Sequence, residues 1–178
     1  MILTSKSNPL IRETISLKEK KGRRETGLFL VEGTKMAAEC RRSALEIERV
    51  ILSESYAGEE YGEAVRVSDE LQGILCRVRI PKRRLAPPTG CCLLLDGVSD
   101  PGNMGAIIRT ANAAGYSQLY LADCTDPYSP KSVRASMSGI FFTELYIASR
   151  EEIFSALSGV PIYAADMQGE NIFCFSPL

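Results

Sequence analysis

Apolar residues in this chain come in short blocks set between charged turns, and the blocks mark out alternating strands and helices. Phe29-Leu30-Val31 and Val50-Ile51-Leu52 are compact apolar runs of strand length. Ile74–Ile80 alternates instead, with Ile74, Cys76, Val78 and Ile80 on one side. Between the first two runs, Glu32-Gly33 turns the chain into a helix whose inward stripe is Met36, Ala37, Cys40, Ala44 and Leu45. A basic lead-in carries a helical segment from Leu10 to Lys21, and Glu59–Ala64 is a shorter helical stretch. These pieces predict a small α/β unit. Pro81 to Gly90, with prolines at 81, 87 and 88, is punctuated like a linker, which sets a boundary between residues 1–84 and 85–178.

The second unit has sharper signals. Cys92–Leu95 is a continuous apolar run of the kind buried in parallel sheets. Asp100 to Asn103 form a turn, a helix runs to about Ala114, and Gly115 stands where a helix stop favours a left-handed residue. Gln118–Ala122 then completes a strand–helix–strand unit. Ser129-Pro130 reads as an N-cap followed by proline in the first helical position, opening a helix with Val133, Ala135 and Met137 that ends near Gly139. A strand lies within Ile140–Ile147, and Ser149 with Glu152 matches a capping box for a helix ending at Gly159. Val160–Ala164 predicts one more parallel strand, and Asn171 to Leu178 begins another apolar element.

Composition narrows the chemistry. At 178 residues and 45% hydrophobic content, the chain is sized for one ordinary domain or two small ones. No apolar run approaches the ~20 residues that span a bilayer, and the amino terminus has no secretory h-region, so a cytoplasmic protein is expected. There is no histidine, which removes the usual general base and most hydrolytic triads. The six cysteines lack Cys-x2-Cys spacing and read as reduced, small hydrophobes, with no metal expected. Formal charge is −1, so bulk charge names no partner, yet basic residues cluster. Lys18, Lys20, Lys21, Arg23 and Arg24 form one cluster, Arg41 and Arg42 another, and Lys82, Arg83 and Arg84 a third. Each can be an ordinary solvated face, or a nucleic-acid contact if it sits beside a chemical site.

One segment supplies such a site. On the helix near Asn103 the 100° period turns Met104, Ile107, Ile108 and Ala111 inward and gathers Gly105, Arg109 and Asn112 on the other side. Gly102 and Gly105 let backbone approach a ligand, and the helix amino end with the planar fork of Arg109 suits an anion. Arg109 can equally serve as a surface residue or a packing ion pair. The loop is not a dinucleotide fingerprint, since Gly-x-Gly-x-x-Gly is absent. Arg134 and Ser136 lie in the second helix, where Ser136 has no base to activate it as a nucleophile. Asp96, Asp123 and Asp126 follow strand ends and suit either a magnesium ion or, more simply, turns and caps.

At these two segments the chain resembles the SpoU/TrmH family of RNA ribose 2′-O-methyltransferases, part of the knotted SPOUT class. Asp100-Pro-Gly-Asn-Met-Gly-Ala-Ile-Ile-Arg109-Thr-Ala is similar to the family's first motif, and Lys131-Ser-Val-Arg-Ala-Ser-Met137 to its middle motif. Leu28-Phe-Leu-Val-Glu-Gly33 resembles the opening of the family's amino-terminal substrate-binding domain. The resemblance implies an α/β protein: a small ribosomal-protein-L30-like domain, then a parallel-sheet SPOUT domain truncated before the knot. It implies methyl transfer from S-adenosylmethionine to a ribose 2′-hydroxyl of ribosomal or transfer RNA, by a homodimer. Arg109 and Asn103 would be the catalytic residues. Lys18, Lys20, Lys21, Arg23, Arg24, Glu32, Arg134 and Ser136 would contact RNA. The family's third motif, a glycine-rich loop and last helix that form most of the cofactor pocket, is unmatched before Leu178, so cofactor-binding residues are expected beyond it and this length alone is expected to be inactive. The amino-terminal unit is shortened around Asp69–Leu75, and Ser138 stands where glycine is common. A non-catalytic RNA-binding module and a structural or dimerisation fragment are the alternatives.

Overall fold

The computed structural model describes residues 2–3, 7–58, 61–67 and 73–171. The first unit is a five-stranded mixed sheet of β1 (Ile2–Leu3), β2 (Leu28–Glu32), β3 (Ile47–Ser53), β4 (Val65–Val67) and β5 (Ile74–Arg79), in the order β1-β4-β3-β5-β2. Alternation along β2 separates its two faces: Leu28 and Leu30 join Leu17, Ile51, Val67 and Leu75, while Phe29 and Val31 join Ala37, Cys40, Cys76 and Val78. Helices α1 (Pro9–Ser16) and α2 (Lys20–Thr26) lie by the first face, and α3 (Thr34–Arg42) packs on β2 and β5.

The predicted helix over Leu10–Lys21 is thus two helices meeting at a corner. Leu17 is fully buried there, and the backbone of Gly22 lies so close to the Ser16 carbonyl that no side chain would fit between them. Residues 61–64 are turn and coil, so the described part of the Glu59–Ala64 stretch is not helical, and Asp69–Leu71 lie outside the described residues.

The second unit is a parallel sheet, order β6-β7-β8, formed by β6 (Leu93–Asp96), β7 (Gln118–Ala122) and β8 (Glu144–Ala148). On one face sit α4 (Pro101–Ala113) and α5 (Pro130–Ala135), followed by a 3-10 turn at Gly139–Phe141. On the other, Tyr120, Ala122 and Tyr146 pack with Ile153 and Leu157 of α6 (Arg150–Ala156) and its cap. Burial on both faces is why β7 reads as one unbroken apolar block. Ser129 and Ser149 cap through their side chains as expected, and Ser149 with Glu152 closes the predicted capping box; Asp100, expected in a turn, caps as well.

Val160–Ala164 corrects the sequence reading. Residues 161–171 are exposed coil, with Ile162 and Tyr163 about half exposed, so this apolar run is not a strand. Apolar composition does not by itself supply a neighbouring strand, and Pro161 lacks an N–H to donate. Residues 172–178 lie outside the described residues.

The two sheets share a core. The cluster containing Phe29, Val31 and Cys76 continues into Met104, Ile108, Tyr128, Val133 and Ile140, and the rings of Phe29 and Tyr128 are 5.1 Å apart. The connecting segment is pinned to the second sheet: Tyr120 Oη donates to the Ala86 carbonyl at 2.7 Å, and Thr89 N–H donates to Gln118 Oε1 at 2.8 Å. Replacing Phe29 with Ala should destabilise the whole chain by about 3–5 kcal/mol, because it empties the seam from both sides. Urea unfolding checks this, with a single shared transition expected for both units.

A candidate nucleic-acid interface on helix α4

Helix α4 begins where Asp100 Oδ1 accepts the Asn103 N–H at 2.8 Å, with Pro101 in the first turn. The helix therefore starts two residues earlier than Asn103. Asp100 also accepts from Lys131 Nζ at 2.9 Å through its other oxygen, tying the start of α4 to α5. Lys131 first, then the Asn103 N–H, hold this carboxyl below the usual carboxylate range.

Around α4, Met104, Ile108 and Ala111 are buried in the core, and Ile107 is half-buried beside Asn103 and Ala106. Gly105 departs from the exposed position expected for it. It is buried where the helices touch, and a Cβ there would collide with the Ser132 carbonyl, meet Ala135 Cβ at 2.5 Å and come within 2.9 Å of Ser136 N. Gly139 repeats the device one turn on, where a Cβ would come within 3.1 Å of Arg109 Cα. Backbone-to-backbone approach at these two glycines brings the first and middle motifs together.

Arg109 follows Gly105 by one turn of α4, and its backbone lies against Gly139. It is exposed and has no ion-pair or hydrogen-bond partner among the described residues. An open depression, about 440 Å³, lies past the carboxyl end of β6 and is lined by Gly97, Val98, Ser99, Asp100, Asn103, Ala106 and Ile107. Asn103 is exposed at its rim, six residues and roughly 9 Å of helix rise from Arg109.

The remaining predicted residues divide. Lys18, Lys20, Lys21 and Arg24 are exposed. Arg134 is exposed and faces Glu32 across the seam at 3.4 Å, so these two meet each other. Arg23 does not belong to the exposed cluster: it is 4% exposed, and Nε and Nη2 donate to Asp126 Oδ2 at 2.9 and 2.7 Å. A helix with basic residues on every side must turn one of them inward when it packs, and a partner carboxylate made Arg23 that one. Ser136 is also withdrawn, fully buried with its hydroxyl donating to the Val133 carbonyl at 2.7 Å. It sits in the tight contact with α4, where a hydroxyl can turn back on its own helix. Met137, expected within that helix, lies past its end with φ +46° and is exposed.

The acids considered for magnesium are otherwise engaged. Asp126 holds Arg23, while Asp96 and Asp123 flank Arg150 at 2.7 and 3.3 Å. No metal-ligating cluster occurs among the described residues. Lys131, named in the sequence only as the start of the middle motif, is the cation that meets the second oxygen of the Asp100 cap.

Residues 90–176 match the SpoU rRNA Methylase family, and residues 8–79 match the MRM3-like substrate binding domain. The chain is a SpoU/TrmH-family homologue of the SPOUT class. This SpoU/TrmH chain is 27% identical over 183 residues to the 23S rRNA (guanosine(2553)-2′-O)-methyltransferase RlmP of Bacillus subtilis, a match covering 93% of the chain and 73% of that protein. Against the 23S rRNA (uridine(2479)-2′-O)-methyltransferase of Streptomyces viridochromogenes the match is 46% identical but spans 50 residues, 28% of the chain and 17% of that protein. Among solved structures, the AdoMet-bound rRNA methyltransferase of Sinorhizobium meliloti superposes with a TM-score of 0.77 at 29% identity, covering 89% of this chain and 69% of that one.

Gly105→Ala should cost about 1–3 kcal/mol, since α5 must move away from α4 to make room; chemical denaturation checks the size. Acid should remove the Asp100 contribution specifically. Because the folded pKa is lowered, the stabilisation is complete above the unfolded value of about 3.9 and is lost as pH falls through the lower folded value. In an Asp100→Asn variant that part of the acid loss should be missing, as read from the difference between the two stability profiles below about pH 4.

Proposed function

We propose that this SpoU/TrmH chain is the RNA-engaging part of a ribose 2′-O-methyltransferase acting on ribosomal RNA, and that Arg109 is its central residue. The observation that carries the reading is an exposed guanidinium, without an ion-pair or hydrogen-bond partner among the described residues, on the helix whose amino-terminal turns line an open depression. Buried arginines elsewhere in the fold, Arg23 and Arg77, both hold carboxylates. Arg109 has no such partner among the described residues, and an available fork is the arrangement a phosphate requires. The similarity to proteins named as 23S rRNA 2′-O-methyltransferases supports this substrate class.

Guanidinium has a pKa above ~12 and does not act as a free base at neutral pH. Its work is to hold a phosphate of the RNA and to stabilise negative charge growing on the adjacent 2′ oxygen as its proton leaves. Asn103, at the rim, is placed to orient the ribose through its amide. S-adenosylmethionine supplies an electrophilic methyl group when bound. The described residues suit one wall of its site: Ala106 and Ile107 offer an apolar face, Ser99 and Asn103 polar groups, and Gly97 at φ +70° a sharp turn in the backbone. The small domain, with Lys18, Lys20, Lys21 and Arg24, is the RNA-docking part, ribosomal-protein-L30-like in kind, and the whole enzyme works as a homodimer.

The one-sided wall also favours a second reading, in which this length binds RNA without transferring methyl groups. Incubation with tritiated S-adenosylmethionine and transcribed 23S rRNA separates the two. Label in RNA that Arg109→Ala reduces by roughly a hundredfold or more supports catalysis. RNA binding with no label supports the binding module, and full labelling by the variant removes Arg109 from the mechanism. Replacing Lys18, Lys20, Lys21 and Arg24 with Gln should weaken binding and flatten its dependence on log salt by about 0.7 per lost phosphate contact on single strands. Filter binding across a salt series reads that slope.

A further inference from the structure

We infer that Arg23 is a positioning residue, whose buried pairing with Asp126 locks the basic face of α2 to the packed α4–α5 pair so that one RNA strand engages both at a fixed spacing. The inference rests on the RNA reading above and adds what sets the geometry between its two contact regions.

Arg23 saturates its donors on one side of the molecule and joins it to the other. Nη1 donates to the carbonyls of Leu17 and Lys18, each at 2.8 Å, which closes the corner between α1 and α2. Nε and Nη2 donate to Asp126 Oδ2 at 2.9 and 2.7 Å. Asp126 lies in the loop that delivers α5, and it organises that loop as well. Its Oδ1 accepts the Tyr128 N–H at 2.9 Å, and its carbonyl accepts from Ser132 Oγ at 3.2 Å. One guanidinium therefore fixes the corner carrying the lysines and, through Asp126, the first turn of the helix packed on Gly105.

Exposed cations stand on both sides of this joint. Lys18 shares its carbonyl with the guanidinium, Lys20 follows two residues on, and Lys131 adjoins the Ser132 that bonds Asp126. Arg134, one turn further along α5, meets Glu32 across the seam. A polyanion lying along the seam meets positive charge from both units, and a rigid joint spares it the cost of ordering them. A planar fork with five fixed donors makes such a joint, whereas a lysine ammonium in its place cannot reach both the carboxylate and the two carbonyls.

Two fluorescein-labelled single-stranded RNAs test this on the full chain, a hexanucleotide able to occupy one region and a 24-mer able to span both. Wild type should bind the 24-mer at least about tenfold more tightly than the hexanucleotide, through the effective concentration that a rigid pair of sites confers. Arg23→Gln and Asp126→Asn should each abolish most of that gain while leaving hexanucleotide affinity within about twofold, and the double variant should lose no more than either single one. Circular dichroism fixes a temperature at which all variants are folded. If the Gln and Asn variants do not fold, Arg23→Lys carries the same comparison. Equal loss for both RNAs would make the pair a purely structural one and overturn the inference, as would an undiminished gain in the variants. Wild type binding neither RNA would instead remove the RNA reading itself, and this inference with it.

Discussion

The arrangement of the candidate site depends on two backbones touching where Gly105 faces Ser132 and Ser136. A six-residue helix such as α5 cannot persist alone, because nucleation costs more than so few hydrogen bonds return. It exists because it is clamped: α4 on one side through the glycine contact, β2 and α2 on the other through Glu32 and Arg23. Arg109 owes its freedom to the same arrangement. Gly139 fills the space beside its main chain with backbone alone, so the side chain projects outward with no carboxylate in reach among the described residues.

What could be read in advance follows the range of the forces involved. Two helix starts were legible because Ser129-Pro130 and Ser149 with Glu152 satisfy orphan backbone N–H groups within three residues, whereas Asp100–Asn103, read as a turn, instead opens a helix at Pro101. Strand β7 was legible to the residue because its apolar block is bounded by polar turns on both sides. The run 160–164 misled because a strand is a property of a pair, and nothing local says whether a neighbouring edge is present. Residues of the site divide in the same way. Asn103 lies in the first turn of α4 and Arg109 further along it, behind a start whose proline and glycine announce themselves locally. The inward turn of Arg23 required knowing that Asp126, 103 residues away, would be opposite.

The basic cluster shows how composition and structure divide the labour. Five cations within seven residues look uniform in sequence, yet one is internal and four face solvent. The internal one is held by four hydrogen bonds, whereas among the exposed ones Lys21 meets Glu25 only loosely at 3.8 Å. Counting charge overstated the surface by one residue and missed the joint.

The pinned segment between the sheets has an effect on the architecture of its own. With Tyr120 and Gln118 of β7 grasping Ala86 and Thr89, and Arg83 paired to Glu144, the stretch after β5 runs flush along the second sheet. A tether that is held along its length cannot act as a hinge, nor can it swing out to exchange partners with a second copy. The two halves should thus stay together even after the peptide bond between them is cut, in the manner of a nicked but intact globule.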